Sequence, residues 1–311
     1  MTAGADLSTG VARVIDPAEV AASFRAEIRA EVAALPEPLV LWGVLADEHR
    51  PSRTYAEYTR KGCDDVGVHF TLKQVRRLDV ESVIRAANAD AGVHGVLVYY
   101  PVFGTEHDAY LRDRVEPGKD IEGLHPFWAR CLYENRRFLD EAKTKKSILP
   151  CTPLAIMKLL DVAGATANAA GPKPLAGKRA VVFNRSEVVG RPLASMLAND
   201  GADVVSFDVD GPLSFVPAAG EGAHDVRETT IDRAAALADA DIVVTGVPSH
   251  DFPLVRGSEI KHGAICLNFS TAKNFDTDID SVAGTFIPRV GPMTVTMALR
   301  NTVRLYRNVR G

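Results

Sequence analysis

Short apolar runs rich in β-branched residues alternate with amphipathic segments twice along the chain, and this alternation constrains the fold more than any other feature of the sequence. In the first series a helix is expected over 16–35, opened by Asp16 as cap and Pro17 as first helical residue. The run 39–45 then reads as a buried strand, 52–66 as an amphipathic helix, 68–72 as a strand, 80–90 as a helix, and 95–100 as a strand stopped by Pro101. The second series has strands at 179–183, 203–207, 242–245 and 264–268, with helices near 191–200 and 231–238. Strands joined by helical crossovers form parallel sheets, so the expected class is α/β.

Between the two series, 104–150 is irregular and charged, including the lysine-rich stretch 143–146, and reads as loops around a site. Thr152 is expected to cap a helix over 153–161, the Ala/Gly/Pro-rich 163–177 to be an exposed connection, and 293–309 to be a final helix packing back on the first unit. A chain of 311 residues suits two domains at roughly 100–200 residues each. The division is 1–150 and 151–288, with a cleft between them and 289–311 returning to the first.

A net charge of -4 supplies no electrostatic footprint for nucleic acid or an anionic membrane, so a small-molecule partner is expected. Cys63, Cys131, Cys151 and Cys266 show no C-x-x-C or C…H spacing, which argues against a disulfide framework and a zinc site and for reduced thiols in the cytoplasm. The eight histidines never cluster at ligand spacing, and no metal is expected. The first thirty residues lack the apolar run of an export signal, and the apolar stretches 38–46 and 93–102 are far shorter than the roughly 20 residues of a membrane span.

The segment RAVVFNRSEVVGRP at 179–192 runs from an apolar strand through a polar turn into a helix with Pro192 in its first turn. Unpaired N–H groups and the dipole at such a helix start favour a dinucleotide diphosphate. The usual G-x-G-x-x-G is absent: Asn184 and Ser186 stand where glycines would, and Gly190 comes one residue late, so alone the segment reads equally as plain strand, turn and helix. Asp208 ends the next strand 24 residues after Asn184, where an acid accepts hydrogen bonds from an adenosine ribose. No Lys or Arg occurs from Asp208 to Asp225, and Asp210 adds negative charge, so a 2′-phosphate would be repelled and NAD is favoured over NADP. Arg185 counts the other way, since it could meet a 2′-phosphate, but it could equally face the pyrophosphate or cover an adenine. Thr245-Gly246-Val247 closes the following strand and offers a small residue where a flat ring approaches the backbone, a candidate nicotinamide wall. The expected cofactor contacts are thus Asn184, Arg185, Ser186, Val189, Gly190, Asp208, Val209, Thr245, Gly246 and Val247.

In order along the chain, YAEYTRKGCDDVG (55–67), VHGVLVYYP (93–101), PGKDIEGL (117–124), PCTP (150–153), NRSEVVGRP (184–192), GPMT (291–294) and Asn301-Thr302 resemble the methylenetetrahydrofolate dehydrogenase family, which includes bifunctional dehydrogenase/cyclohydrolases. These motifs span most of the chain. The resemblance implies an N-terminal α/β folate domain, a Rossmann-like NAD-binding domain, a tetrahydrofolate derivative as substrate and a homodimer formed through the NAD domain. It implies that Tyr55 edges or stacks on the folate rings, and that Asp120 and Glu122 stabilise a developing cation and bond pterin N–H groups. Tyr99, Pro101, Gly291, Pro292 and Thr294 would contact substrate. Cys151, just before the helix expected at Thr152, is assigned to the site as a thiol whose pKa the helix dipole lowers, although a small buried hydrophobe explains a cysteine there equally well.

The family pattern Y-x-x-x-K is departed from here, with Tyr55 followed by Thr59 among the expected catalytic positions. Removing hydride from the bridging CH₂ of 5,10-methylenetetrahydrofolate yields a methenyl cation shared over two nitrogens, which needs no general base. Hydrolysing that cation needs water activation, and a threonine does not titrate near neutral pH. The implied activity is dehydrogenation without substantial cyclohydrolase activity. Lys61 lies two residues further on and is the alternative that could substitute for the family's lysine, although a two-residue step turns it to another helix face. Tyr99 replaces a glutamine and Glu122 an aspartate, both similar to the NAD-dependent monofunctional branch known in yeast; the glycine-rich approach to GPMT is also shortened, to 287–290, a departure from the family's local backbone contacts. The alternatives are a bifunctional NADP-dependent dehydrogenase/cyclohydrolase, a non-catalytic folate- or nucleotide-binding regulator, and a shikimate-type dehydrogenase on a similar scaffold.

Overall fold

A computed structural model describes residues 11–46, 50–167, 171–220 and 222–311. Residues 1–10, part of the stretch read for an export signal, and 168–170 of the expected 163–177 connection lie outside the described residues.

The chain enters through β1 (Arg13–Val14) and turns at Asp16, whose side chain accepts the Ala18 N–H and starts α1 (Pro17–Ala33). β2 (Val40–Ala46), α2 (Arg50–Val66), β3 (His69–Val75), α3 (Val80–Ala89) and β4 (Gly95–Tyr99) follow in the expected rhythm. The three latter strands pair in parallel in the order β3-β2-β4. Every residue of β4 is buried, which is why it reads as a continuous apolar run rather than an alternating one. The segment expected to be loops instead holds two short helices, α4 (His107–Arg114) and α5 (Pro126–Tyr133). α4 buries only Asp108 and Leu111 and has no apolar stripe to announce it. α5 is started locally, by His125 accepting the Phe127 N–H and by Pro126 in the first turn.

α6 (Cys151–Val162) begins earlier than expected, with Pro150 as its cap, so Thr152 lies within the first turn and its hydroxyl meets that of Thr294 at 3.3 Å instead of capping. The second sheet carries β5 (Arg179–Phe183), α7 (Gly190–Asn199), β6 (Asp203–Asp208), β7 (Gly211–Val216), β8 (Asp225–Glu228), α8 (Arg233–Asp239), β9 (Ile242–Thr245), β10 (Ile265–Asn268) and β11 (Thr285–Ile287) before the final α9 (Gly291–Arg310). Its strand order is β1-β11-β10-β9-β5-β6-β7-β8. β7 and β8 are antiparallel additions, and β8 is exposed at every residue, so neither shows the apolar pattern of a core strand. The chain leaves β5 toward β6 on one side and returns through β9 on the other. The loops after β5 and β9 therefore part at their strands' C-terminal ends, the crevice where open α/β sheets take ligands.

β1 pairs with β11, so the segment before α1 belongs to the second sheet and not to the unit a 1–150 boundary assigns it to. α6 packs on both α7 and α9, and one apolar cluster runs from Leu41 and Leu97 through Leu154 and Leu159 to Leu197 and Val204. The two units share this core. α9 lies across α1 and α2, where Arg300 and Arg307 reach Glu27 and Glu31.

Candidate active site

A cavity of about 1370 Å³ is walled by Tyr55, Tyr99 and Glu122 from the first unit, by Cys151 at the start of α6, and by Val188, Val189, Phe269 and Asn274 from the second unit. It exceeds the roughly 300–1,000 Å³ of a single-ligand site, so two ligands have room to meet in it.

The K-D-I-E-G segment at 119–123 builds the first wall. Lys119 Nζ donates to the carbonyls of Ala87, Asn88 and Asp90 and closes the end of α3. Asp120 accepts the N–H groups of Glu122, Gly123 and His125, and Gly123 turns at φ 68° where a Cβ would stand 2.8 Å from the Leu149 backbone. The turn so held presents Glu122 to the cavity, its Oε2 accepting the Val98 N–H at 3.3 Å. Burial pushes the Asp120 carboxyl up to about 6 against the backbone N–H groups that hold it down. Burial and the neighbouring Asp120 charge push Glu122 well above the usual carboxylate range, opposed by the Val98 N–H and the Arg112 guanidinium. Asp120 was expected at the substrate, but it is buried behind the lining with its oxygens taken up by the turn, and it acts by holding Glu122.

Tyr55 and Tyr99 stand edge to face, ring centroids 5.6 Å apart, and burial raises both phenols, so neither titrates near neutral pH. Thr59 is not at the cavity surface: it is buried, donates to the Tyr55 carbonyl at 2.9 Å and lies beside the Tyr99 hydroxyl, while Tyr99 supplies the lining. Lys61 is exposed at the rim, away from the Thr59 position. Gly291, Pro292 and Thr294 line the cavity, whereas Pro101 is exposed and outside the lining, because the chain turns there into a loop whose N–H groups at 102–104 bond the Asp108 carboxylate.

Cys151 opens α6 and lines the cavity, but the expected lowering of its thiol is reversed. Burial, then the carboxyls of Glu122 and Asp120, raise it well above the ordinary value, and the thiol donates to the Ile121 carbonyl at 3.2 Å. Asn301 ties α9 to the same turn by donating to the carbonyls of Ile121 and Leu149. The site thus offers a half-buried carboxyl beside two tyrosines and a thiol whose pKa is raised.

On the second wall, Asn184 takes φ 131°, the positive region a fingerprint glycine would supply, and is held there by donating to the Gly246 carbonyl and accepting the Ser186 N–H, both at 2.9 Å. A Cβ on Gly190 would lie 1.9 Å from the Asn184 carbonyl oxygen, so this glycine performs the close helix–strand packing of the fingerprint although it comes one residue late. Gly190→Ala is expected to cost about 1–3 kcal/mol of stability, read as a fall in Tm, and to weaken dinucleotide binding in calorimetric titration.

Asp208 is exposed at the end of β6, accepting the N–H groups of Arg185 and Val209, with Val209 itself 95% exposed. Arg185 turns one guanidinium nitrogen onto the carbonyls of Ser206 and Gly211 at 3.1 and 2.9 Å, so it braces the β6–β7 hairpin. Thr245 is fully buried, its hydroxyl directed at Leu267 and Asn268, and cannot touch a cofactor. The space against Gly246, expected to take a flat ligand ring, is filled by Phe269, whose Cζ would be 1.8 Å from a Cβ there. Val247 is braced through its N–H and carbonyl by Asn274 and Ser270, and Val189 lines the cavity.

Arg112, Phe269, Asn268, Ser270 and Asn274 were not anticipated from the sequence. Arg112 lies in α4, which had no periodic signal, and bridges to Glu187 of the loop after β5 at 3.3 Å. Phe269 and its neighbours directly follow β10, and the rule that ligands meet the C-terminal ends of parallel strands was the signal that could have found them.

Comparison with known proteins adds to this geometry. The profile of the tetrahydrofolate dehydrogenase/cyclohydrolase catalytic domain matches residues 15–122, and that of the NAD(P)-binding domain of the same family matches 150–212. The chain is 40% identical to methylenetetrahydrofolate dehydrogenase [NAD(+)] of Dictyostelium discoideum over 94% of both chains. It is also 40% identical to the Saccharomyces cerevisiae protein of that name, over 96% of this chain and 97% of the relative. The bifunctional protein FolD of an Azoarcus species is 32% identical over 94% and 95% of the two chains. The solved structure of the NAD-dependent 5,10-methylenetetrahydrofolate dehydrogenase from Saccharomyces cerevisiae superposes with a TM-score of 0.89 at 38% identity, covering 96% of this chain and 98% of that one.

Proposed function

This chain belongs to the tetrahydrofolate dehydrogenase/cyclohydrolase family, and from that premise we propose that it oxidises 5,10-methylenetetrahydrofolate to 5,10-methenyltetrahydrofolate with NAD⁺, without substantial cyclohydrolase activity. NAD⁺ supplies the hydride acceptor. The chain's own contribution is to hold the methylene carbon between Tyr55 and the second wall and to meet the positive charge that hydride loss leaves on the two folate nitrogens. The observation that carries the reading is Glu122: a half-buried carboxyl, held by the Asp120 turn, facing a cavity that the nucleotide loop also lines. A carboxyl kept from water lowers the energy of a cation formed beside it more than an exposed one does.

The placement of Thr59 beside Tyr99 supports the absence of hydrolysis. Buried Thr59 does not titrate, and the Tyr99 phenol beside it is raised by burial, so neither activates water at neutral pH. Glycine-like Asn184, close-packed Gly190 and acidic Asp208 suit the diphosphate and adenosine ribose of NAD. A homodimer through the second unit is supported by the exposed edge strand β8, and residence in the reducing cytoplasm by four free, buried cysteines.

The test is to incubate the protein with preformed 5,10-methenyltetrahydrofolate, without nucleotide, at a pH where uncatalysed hydrolysis is slow. The absorbance of the methenyl form should decay at the rate of an enzyme-free control. Faster decay assigns the chain to the bifunctional, hydrolysing class instead.

A further inference from the structure

We propose that Phe269 is the wall against which the nicotinamide ring of NAD packs, and that Gly246 is small in order to seat this side chain rather than the ligand; the inference rests on the NAD-linked reading above. The tip of the Phe269 ring occupies the space a Gly246 side chain would take, with Cζ, Cε2 and Cε1 at 1.8, 2.0 and 2.3 Å from an ideal Cβ position. Its seat is rigid. The Gly246 N–H donates to the Phe183 carbonyl at 2.9 Å, and the Gly246 carbonyl accepts Asn184 Nδ2 at 2.9 Å. The Phe269 N–H in turn donates to the Thr245 carbonyl at 2.8 Å, continuing the β9–β10 pairing beyond the strand ends. On the next residues, Asn268 Nδ2 bonds the carbonyls of Ser270 and Ala272, and the Ser270 hydroxyl bonds that of Val247.

One end of the ring is therefore locked in the sheet, while the half-buried remainder lines the cavity together with Tyr55, Glu122 and Val189. The same cavity is lined by the loop suited to the diphosphate and by the carboxyl suited to the product cation. A fixed aromatic ring there offers an apolar surface for stacked or edge contact with a flat heterocycle, at little cost in side-chain freedom.

The experiment compares wild type with Phe269→Ala, Phe269→Leu and Phe269→Tyr by titration with NADH, followed by its fluorescence, and with ADP-ribose, followed by calorimetry. ADP-ribose carries the adenosine, diphosphate and second ribose but no nicotinamide. Phe269→Ala should weaken NADH binding about 3- to 10-fold, the range of an aromatic contact, and leave ADP-ribose binding unchanged. Phe269→Leu should fall between, and Phe269→Tyr should restore wild-type affinity. Equal weakening of both ligands would show that the ring only supports the nucleotide loops and would overturn the proposal. Tighter NADH binding by Phe269→Ala would make the ring a plug, and would overturn it as well. A wild-type protein that binds neither ligand removes the NAD reading itself and the proposal with it, an outcome distinct from the others because it does not involve the variants.

Discussion

Glu122→Gln is expected to lower kcat for methylenetetrahydrofolate oxidation by about 10²–10³-fold, with a much smaller change in KM. The amide keeps the size of the side chain and can still accept the Val98 N–H, so the pocket is preserved while the charge is lost. The charge matters only as the methenyl cation develops, which is why the loss should fall on kcat. The pH dependence has a definite sign. Because burial and Asp120 raise Glu122 above the ordinary range, kcat/KM of the wild type should climb with pH as the carboxylate forms. Glu122→Gln should lack that limb. Stability runs the other way: a carboxyl raised on folding stabilises the native state fully below its unfolded pKa, and this contribution is lost as pH rises through the folded value. For Asp120, raised from 3.8 to about 6, the loss is about 3 kcal/mol across that interval. Glu122→Gln should therefore melt no lower than wild type above neutral pH, which separates lost chemistry from lost folding.

Cofactor choice carries the second large effect. Wild type should use NAD⁺ over NADP⁺ by about 10²-fold or more in kcat/KM, since an added 2′-phosphate would face the Asp208 carboxylate, and like charges brought together at a binding surface reject the wrong partner. Arg185 bonds the Ser206 and Gly211 carbonyls, and the sequence from Asp208 to Asp225 contains no Lys or Arg to offset the repulsion. Asp208→Asn should cut the preference about tenfold, from both a lower NAD⁺ rate and a higher NADP⁺ rate in initial-rate assays. An unchanged ratio would place the discrimination elsewhere in the loop.

Much of this architecture was legible because burial on both faces writes itself into composition. Strands such as β4 and β5 are continuous apolar runs, and the capped start of α1 is spelled by Asp16-Pro17. What escaped was structure held by single contacts. α4 rests on two buried residues, β8 is an exposed edge, and β1 is two residues long and finds its partner β11 at the other end of the chain. The same division runs through the site. Tyr55 and Glu122 line the cavity and Gly190 packs against Asn184, whereas Asp120, Thr59 and Arg185 spend polar atoms on the backbone around them. Motif spacing identifies positions that face one another; only the hydrogen-bond partners decide which of them remain available to a ligand. Cys151 illustrates the point, since its place at a helix start suggested a lowered thiol while burial beside two carboxyls does the reverse.

The most direct test of the account is an initial-rate assay with 5,10-methylenetetrahydrofolate, comparing NAD⁺ with NADP⁺ and following reduced nucleotide and methenyl product together. Hydride transfer from this chain predicts NADH and 5,10-methenyltetrahydrofolate formed in equal amounts, with NADP⁺ a poor substitute. Turnover that favours NADP⁺, or no reduced nucleotide with either, would contradict it.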